Sequence, residues 1–348
     1  MAWIEGRAAD EREALDAAAR LLSESRLTVL TGAAADVETV RALLQLGEIV
    51  GGIVDHDGFE ATSSMLSALR EAGIMLGAPA EMRRRADRWL LVGADPFAGA
   101  ENLRDWLFER DGPDLGRGAG RAREVLHLGG AGAFELAEHQ IGDGLAQLRA
   151  GLNGRRHRDA PLSDARVEEA AAFLDGAAFG CVVFAPSAFD ALDVELLCGL
   201  VEDLNRRTRF ACLPVQGGAG GAFAAAQVAT WRTGFPLRTA FGRGFPEFEP
   251  VLNAAARRVA SGEATLALHV GGSASFEPDW SGRLPVIRIG GDGDWTNPPR
   301  IAFAPDGAPG GRVVWEPRFA GFVAEERGAD GTAGILAALA ERLGSVMA

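Results

Sequence analysis

Residues Trp231–Pro250 read W-R-T-G-F-P-L-R-T-A-F-G-R-G-F-P-E-F-E-P, a tryptophan followed by two turns of one design. Thr233-Gly234-Phe235-Pro236 and Arg243-Gly244-Phe245-Pro246 each place a glycine and an aromatic residue ahead of a proline. Just upstream runs Gly217-Gly218-Ala219-Gly220-Gly221, after a strand pattern and before a helical one. A backbone nest there would suit an anion. The G-x-G-x-x-G pattern, with its acidic residue about 20 positions later, is not met, so a tight packed turn is the plainer reading.

Working outward, strand and helix patterns alternate. Apolar runs at Leu27–Leu30, Ile49–Val54, Arg88–Gly93, Arg123–Leu128, Gly180–Phe184, Arg209–Leu213, Ala264–Val270 and Val286–Ile289 read as buried strands. Between them, helical spacing is read over Asp10–Ser23, Val37–Leu46, Ser63–Ala72, Ala131–Arg149, Asp164–Leu174, Asp190–Asn205 and Val251–Ala260. This alternation predicts an α/β chain of Rossmann-like βαβ units with mostly parallel sheets. A polar break at Gly151–Ser163, with Ser163 or Asp164 capping the next helix, suggests a first α/β domain over 1–150 and a second over 151–297. The Pro/Gly-rich tail, with short apolar runs and a closing helix at Thr332–Leu343, reads as a small β extension over 298–348.

Composition excludes several functions. The chain of 348 residues is 47% hydrophobic and 24% charged, as expected of a globular protein with more than one core. A formal charge of −13 argues against nucleic acid as a partner, since that binding rests on cationic contacts with phosphate. No apolar run approaches the roughly 20 residues of a membrane span, and Met1–Arg7 lacks the layout of a signal peptide, so a cytoplasmic location is expected. All the positive charge is arginine, and tyrosine is absent. A lysine Schiff base, a P-loop lysine and a tyrosine proton donor are therefore excluded. Cys181, Cys198 and Cys212 form no C-x-x-C pair and sit in apolar surroundings, which reads as small buried hydrophobes.

Asp55-His56-Asp57 follows a strand, where α/β proteins carry catalytic groups, and a histidine between carboxylates can act as a base or a metal ligand. It lacks partners nearby in sequence, so a structural or remnant role is the plainer reading. Arg83-Arg84-Arg85 and Arg155-Arg156-His157-Arg158 are cationic patches on an acidic chain, suited to carboxylates or phosphates, or else solvated.

The Trp231–Pro250 stretch resembles a signature of the B subunit of formylmethanofuran dehydrogenase, a molybdopterin-type oxidoreductase subunit. A second anchor, Arg85-Ala86-Asp87 before a strand ending Gly93-Ala94-Asp95-Pro96, is similar to a segment found across molybdopterin oxidoreductases. The resemblance covers roughly residues 25 to 320 and implies that fold type. It also has gaps. No cysteine precedes Cys181, none lies between Asp55 and Leu76, and Gln216-Gly217-Gly218 stands where redox members carry arginine-glycine-histidine. Without those ligands an iron–sulfur cluster or a molybdenum or tungsten pterin has little to hold it, so no cofactor is expected.

A relative that kept the body and lost the redox chemistry fits best: the B subunit of the bacterial formyltransferase/hydrolase complex of methylotrophic one-carbon metabolism. That resemblance implies a complex that passes a formyl group from formyl-tetrahydromethanopterin to a methanofuran-type carrier and releases formate. It assigns hydrolysis to a zinc-containing A subunit and transfer to D, and leaves B, with C, as a non-catalytic scaffold. Asp55, His56, Gln216, Trp231 and Arg243 would then mark a remnant pocket. Arg155, Arg156 and Arg158 would meet a partner or a poly-acidic carrier. The competing readings are an active molybdenum or tungsten bis-pterin oxidoreductase, with Asp55 or Asp57 as an oxygen ligand, and a free-standing α/β enzyme using His56 as a base.

Overall fold

The computed structural model describes the chain except residues 33–35, 57, 156–159, 217–219, 272–280, 291–297, 306, 308–310, 327–330 and 348. Two compact units emerge. One comprises Met1–Phe59, Gly220–Trp315 and Phe322–Ala348, the other Glu60–Ala219 with Glu316–Gly321.

The first unit opens with short strands β1 (Ala2–Ile4) and β2 (Arg7–Ala9), then α1 (Glu11–Glu24), β3 (Thr28–Gly32), α2 (Val37–Val50) and β4 (Ile53–Val54). Side-chain caps start both helices. Asp10 accepts from the Arg12 and Glu13 amides, and Asp36 accepts from that of Thr39.

The second unit follows with α3 (Glu60–Glu71), α4 (Pro79–Arg85), β5 (Arg88–Val92), α5 (Glu101–Phe108), β6 (Glu124–Leu128), α6 (Ile141–Leu152), α7 (Asp164–Asp175), β7 (Gly180–Phe184), α8 (Ala191–Asn205) and β8 (Phe210–Pro214). The chain then returns to the first unit through α9 (Gly220–Thr233), β9 (Thr239–Ala240), β10 (Glu247–Phe248), α10 (Ala255–Ala260), β11 (Leu266–Val270), β12 (Val286–Ile289), β13 (Ile301–Phe303), β14 (Arg312–Glu316), β15 (Gly321–Glu325) and α11 (Thr332–Met347).

Among the described residues, the first unit holds a nine-stranded sheet in the order β10-β9-β4-β3-β11-β12-β13-β1-β2. Its centre, β4 through β13, is parallel, and its edges are antiparallel. Buried Leu43 and Leu44 on α2 and Leu336 and Leu339 on α11 belong to one face, where α2 packs on α11 and α9. Val29, Ile53 and Ala267 pack with Ala255 and Val259 of α10.

The second unit is built on a parallel sheet, β6-β5-β7-β8. Period-2 alternation gives it two apolar faces. Val182, Phe184 and Cys212 join the residues of α6, α7 and α8, while Cys181, Val183 and Leu213 join Met82, Trp89, Phe97 and Leu107.

The expected α/β architecture is therefore present, but the chain divides elsewhere. The boundary expected at 150/151 falls inside α6, and all four strands flanking it share one sheet. Of the polar break at 151–163, Gly151 and Leu152 end α6, and Leu162 near its far end is held by the buried Gln147 side chain. Its Nε2 donates to the Leu162 carbonyl (2.5 Å), and its Oε1 accepts from the Leu162 amide (2.9 Å). The tail is a separate β extension only in part: β14 and β15 pair in a two-stranded sheet of their own, whereas β13 lies between β12 and β1 in the large sheet. Three elements are clearly shorter than read, the first being α10, which starts at Ala255 and not at Val251. Ile49 and Val50 end α2 against the left-handed Gly51, leaving β4 two residues, and glycine-rich turns delay α6 to Ile141.

Candidate functional site

In parallel α/β sheets, ligands favour the carboxyl ends of strands where the winding reverses. In the first unit that point lies between β3 and β11, because the chain leaves β3 through α2 to β4 on one side while β11 flanks the other. There Thr31 Oγ1 meets His269 Nδ1 at 2.9 Å. Asp55 and His56 leave the end of β4, and Arg288 comes from β12. Thr31, Asp55, His269 and Arg288 are all buried.

The Asp55 carboxylate is fully engaged. Oδ2 accepts from the Ala255 amide at 2.8 Å and Oδ1 from the His56 amide at 2.8 Å, while Arg238 Nε lies 3.5 Å from Oδ1. Burial raises its pKa, and these donors pull it back. His56 accepts the Gly58 amide at Nδ1 (2.9 Å), so the neutral ring carries its proton on Nε2. That Nε2 is buried without a hydrogen-bond partner among the described residues. Burial holds the His56 pKa down to about 4. His269 is also held to about 4, by burial first and then by the charges of Arg288 and His56. At neutral pH the site thus presents two uncharged imidazoles and a committed carboxylate.

The Trp231–Pro250 stretch explains why Asp55 is held. Its middle forms β9, which pairs with β4 through Ile53–Ala240 and Val54–Thr239. Arg238 takes a left-handed φ of 63° and is buried. From there it donates to the Pro250 carbonyl, faces Asp55 and lies 4.7 Å from the centre of the Phe59 ring. Asn253 Nδ2 reaches the carbonyls of Arg238 (3.3 Å) and Glu247 (3.4 Å). The two glycines of the paired turns have φ of 82° at Gly234 and 81° at Gly244, which side chains resist. Phe235 and Phe248 stack across the resulting loop with centroids 6.0 Å apart. The signature is a clasp on the sheet edge that secures the end of β4.

Of the other expected site residues, Trp231 and Arg243 belong to the first unit and Gln216 and Arg155 to the second. Trp231 is 62% exposed and packs against Phe322, with centroids 4.8 Å apart. Arg243 is exposed and paired with Glu247 at 3.3 Å. Gln216 belongs to the second unit, where its Nε2 approaches Met65 Sδ at 3.7 Å and its Oε1 is buried without a partner among the described residues. Arg155 is exposed beside a shallow depression of about 520 Å³ shared with Arg149, Asn153, Asp203 and Arg206. Arg156, Arg158 and Asp57, and residues 217–219 of the glycine run, fall outside the described residues.

Among the described residues, the donors at the ends of β3, β4 and β11 do not make a ligand set for a metal–pterin group. No cluster of three His, Cys, Asp or Glu suited to a metal occurs among the described residues. The three cysteines are buried in the second unit, and Asp55 is spent on structural bonds. The second sequence anchor is likewise built into the fold. The buried Asp87 carboxylate accepts from the Ala178 and Phe179 amides (3.0 and 2.9 Å) and from Arg121 (3.0 Å), tying the start of β5 to that of β7. Sequence reasoning missed His269, Thr31, Arg238 and Arg288. The available signal was position: His269 lies next to the carboxyl end of a buried strand.

The chain is 35% identical over 303 residues to the B subunit of the formyltransferase/hydrolase complex of Methylorubrum extorquens, covering 84% of this chain and 80% of the relative. The chain belongs to that family of B subunits. A solved structure of the M. extorquens complex with methylofuran contains a chain that superposes with a TM-score of 0.87 at 31% identity, covering 100% of this chain and 99% of that one. The B subunit of a tungsten-containing formylmethanofuran dehydrogenase of Methanocaldococcus jannaschii is 25% identical over 285 residues, 75% of this chain and 64% of that protein. No family model matches the chain. No helix among the described residues is long and apolar enough to cross a membrane.

Proposed function

We propose that this chain is a non-catalytic scaffold subunit in a cytoplasmic complex of A-, B-, C- and D-type subunits, with the body of a molybdopterin oxidoreductase. The complex converts formyl-tetrahydromethanopterin to formate by way of a methanofuran-type carrier. The observation that carries this reading is the fate of Asp55. The acidic group at the winding reversal is neutralised by Arg238 and two amides, and the histidine beside it is uncharged with Nδ1 already bonded. A base, nucleophile or metal ligand needs a free lone pair aimed at substrate, and these groups have spent theirs on holding the fold. The exposed Trp231, Phe235, Phe245, Val251 and Leu252 on the clasp favour a subunit that is covered in its assembly.

The test is co-expression with the A-, C- and D-type subunits, followed by elemental analysis and assay of the intact complex. Molybdenum, tungsten and iron are expected below stoichiometric amounts. Asp55→Asn is expected to leave the kcat of formyl hydrolysis within about twofold in complexes that assemble. Stoichiometric molybdenum or tungsten would establish the redox reading instead.

Arg155, Arg156 and Arg158 remain our proposed contact with either a neighbouring subunit or a carboxylate-bearing carrier. Replacing all three with alanine should raise the carrier KM most at low salt, because exposed charge contacts are screened over about 10 Å at 0.1 M. An unchanged KM at low salt would assign these arginines to solvent or a neighbouring subunit.

A further inference from the structure

The chain carries five asparagines, and Asn153 is the one that a glycine follows. Leu103 follows Asn102, Arg206 follows Asn205, Ala254 follows Asn253 and Pro298 follows Asn297. A side chain on the following residue hinders attack of its amide nitrogen on the asparagine side chain, and proline has no N–H to lose. Two of these asparagines are also tied down. Asn205 Nδ2 donates to the carbonyls of Val201 (2.8 Å) and Phe210 (2.9 Å), and Asn253 is buried in the clasp. Asn153 and Gly154 are instead exposed, just past the end of α6 in the second unit. Gly154 has a left-handed φ of 67°, and no described atom lies within 4 Å of the place a Cβ would take. The pair has room to turn.

We infer that Asn153 is a modification site, converting to aspartate and isoaspartate through attack by the Gly154 amide nitrogen. That nitrogen gives its proton to a solvent base and bonds to the side-chain carbonyl carbon of Asn153. The bond from that carbon to Nδ2 breaks, and ammonia leaves with a proton from water. A second water then opens the five-membered imide at either carbonyl. Opening at the side-chain carbonyl restores the ordinary backbone as aspartate. Opening at the main-chain carbonyl routes the backbone through the side chain as isoaspartate.

Hydrogen bonds set the rate. Asn153 Nδ2 donates to the Arg149 carbonyl (2.9 Å) and lies 3.5 Å from Asp203 Oδ2, while the Gly154 amide donates to the Gly151 carbonyl (3.0 Å). Nucleophile and target are each held by other partners, so reaction waits for the last turn of α6 to open, as helix ends do. Afterwards the turn cannot close as before. A carboxylate has no N–H for the Arg149 carbonyl, and it adds negative charge at a helix carboxyl end beside Asp203. Arg149 Nε already serves Asp203 at 3.0 Å. The conversion locks the turn open.

The experiment incubates the intact complex at mildly alkaline pH and follows every asparagine by peptide mapping, with an isoaspartyl methyltransferase to label isoaspartate. Asn153 is expected to convert first of the five. The same complex unfolded in urea should convert there roughly tenfold or more faster, because unfolding removes the closed turn. In Asn153→Asp, the amides of Gly154 and Arg155, which donate to the Gly151 and Ala150 carbonyls, should exchange hydrogen faster than in wild type. Asn153 left intact in the folded complex, or converting no faster than Asn102, would overturn the proposal. Equal rates in folded and unfolded chains, or unchanged exchange in Asn153→Asp, would overturn the gating by the turn.

Discussion

His56 and His269 are the residues whose environment departs most usefully from water. In the unfolded chain both titrate near 6.5, and in the fold both are held to about 4. The unfolded chain therefore binds protons that the native state refuses. Stability is complete above about pH 6.5 and falls as the pH drops toward 4, with each imidazole costing on the order of 3 kcal/mol across that window. Asp55 works in the opposite direction, because its raised pKa lets the fold accept a proton at the acid end. Urea midpoints measured from pH 7.5 to 4.5 should fall, and His56→Gln and His269→Gln should each flatten the slope. An unchanged slope in both variants would show that neither ring is held neutral. The sequence placed His56 correctly after a strand, yet it could not show His269 as its neighbour. More than 200 positions separate them, and only the β3–β11 pairing closes that distance.

Elements were legible wherever one physical signal dominated. Continuous apolar runs marked β3, β5, β7 and β8, each buried along most of its length. Capping chemistry marked the start of α7, where Ser163 accepts an amide bond. What failed was competition between signals. The apolar Ile49-Val50 suits a strand and the last turn of a helix equally, and the left-handed Gly51 cap decides it. The strands β1, β2, β9 and β10 have two or three residues and leave no periodicity to read.

The clasp makes a prediction at this scale. Gly234 and Gly244 hold positive φ with open space around an added Cβ, so alanine at either should cost only backbone strain, about 1–2 kcal/mol. Gly32 also has positive φ, but its Cβ would run into the Val270 carbonyl between paired strands. Gly32→Ala should therefore lower the melting temperature more than both clasp variants combined. An equal loss at all three positions would mean that strand contact adds nothing to the strain.

At the scale of the molecule, the decisive fact is that one unit is inserted within the other. Residues 60–219 carry all four strands and both apolar faces of the second sheet. Produced alone, this segment should show a cooperative thermal transition, whereas 1–150 should not, because it would hold β5 and β6 without β7 and β8. A cooperative transition in 1–150 would restore the boundary expected from the polar break at 151–163.

That insertion also sets a timetable for synthesis on the ribosome. β3 and β4 emerge early, but β11, which completes the central parallel pairing, follows ~200 residues later, roughly 10–40 s at 5–20 residues per second. The inserted segment can finish its own sheet within that interval. Meanwhile β3 carries an unpaired hydrogen-bonding edge and an uncovered apolar face, the conditions under which nascent chains aggregate or recruit holding chaperones. The dependence of this protein on such help should be concentrated in its first sixty residues.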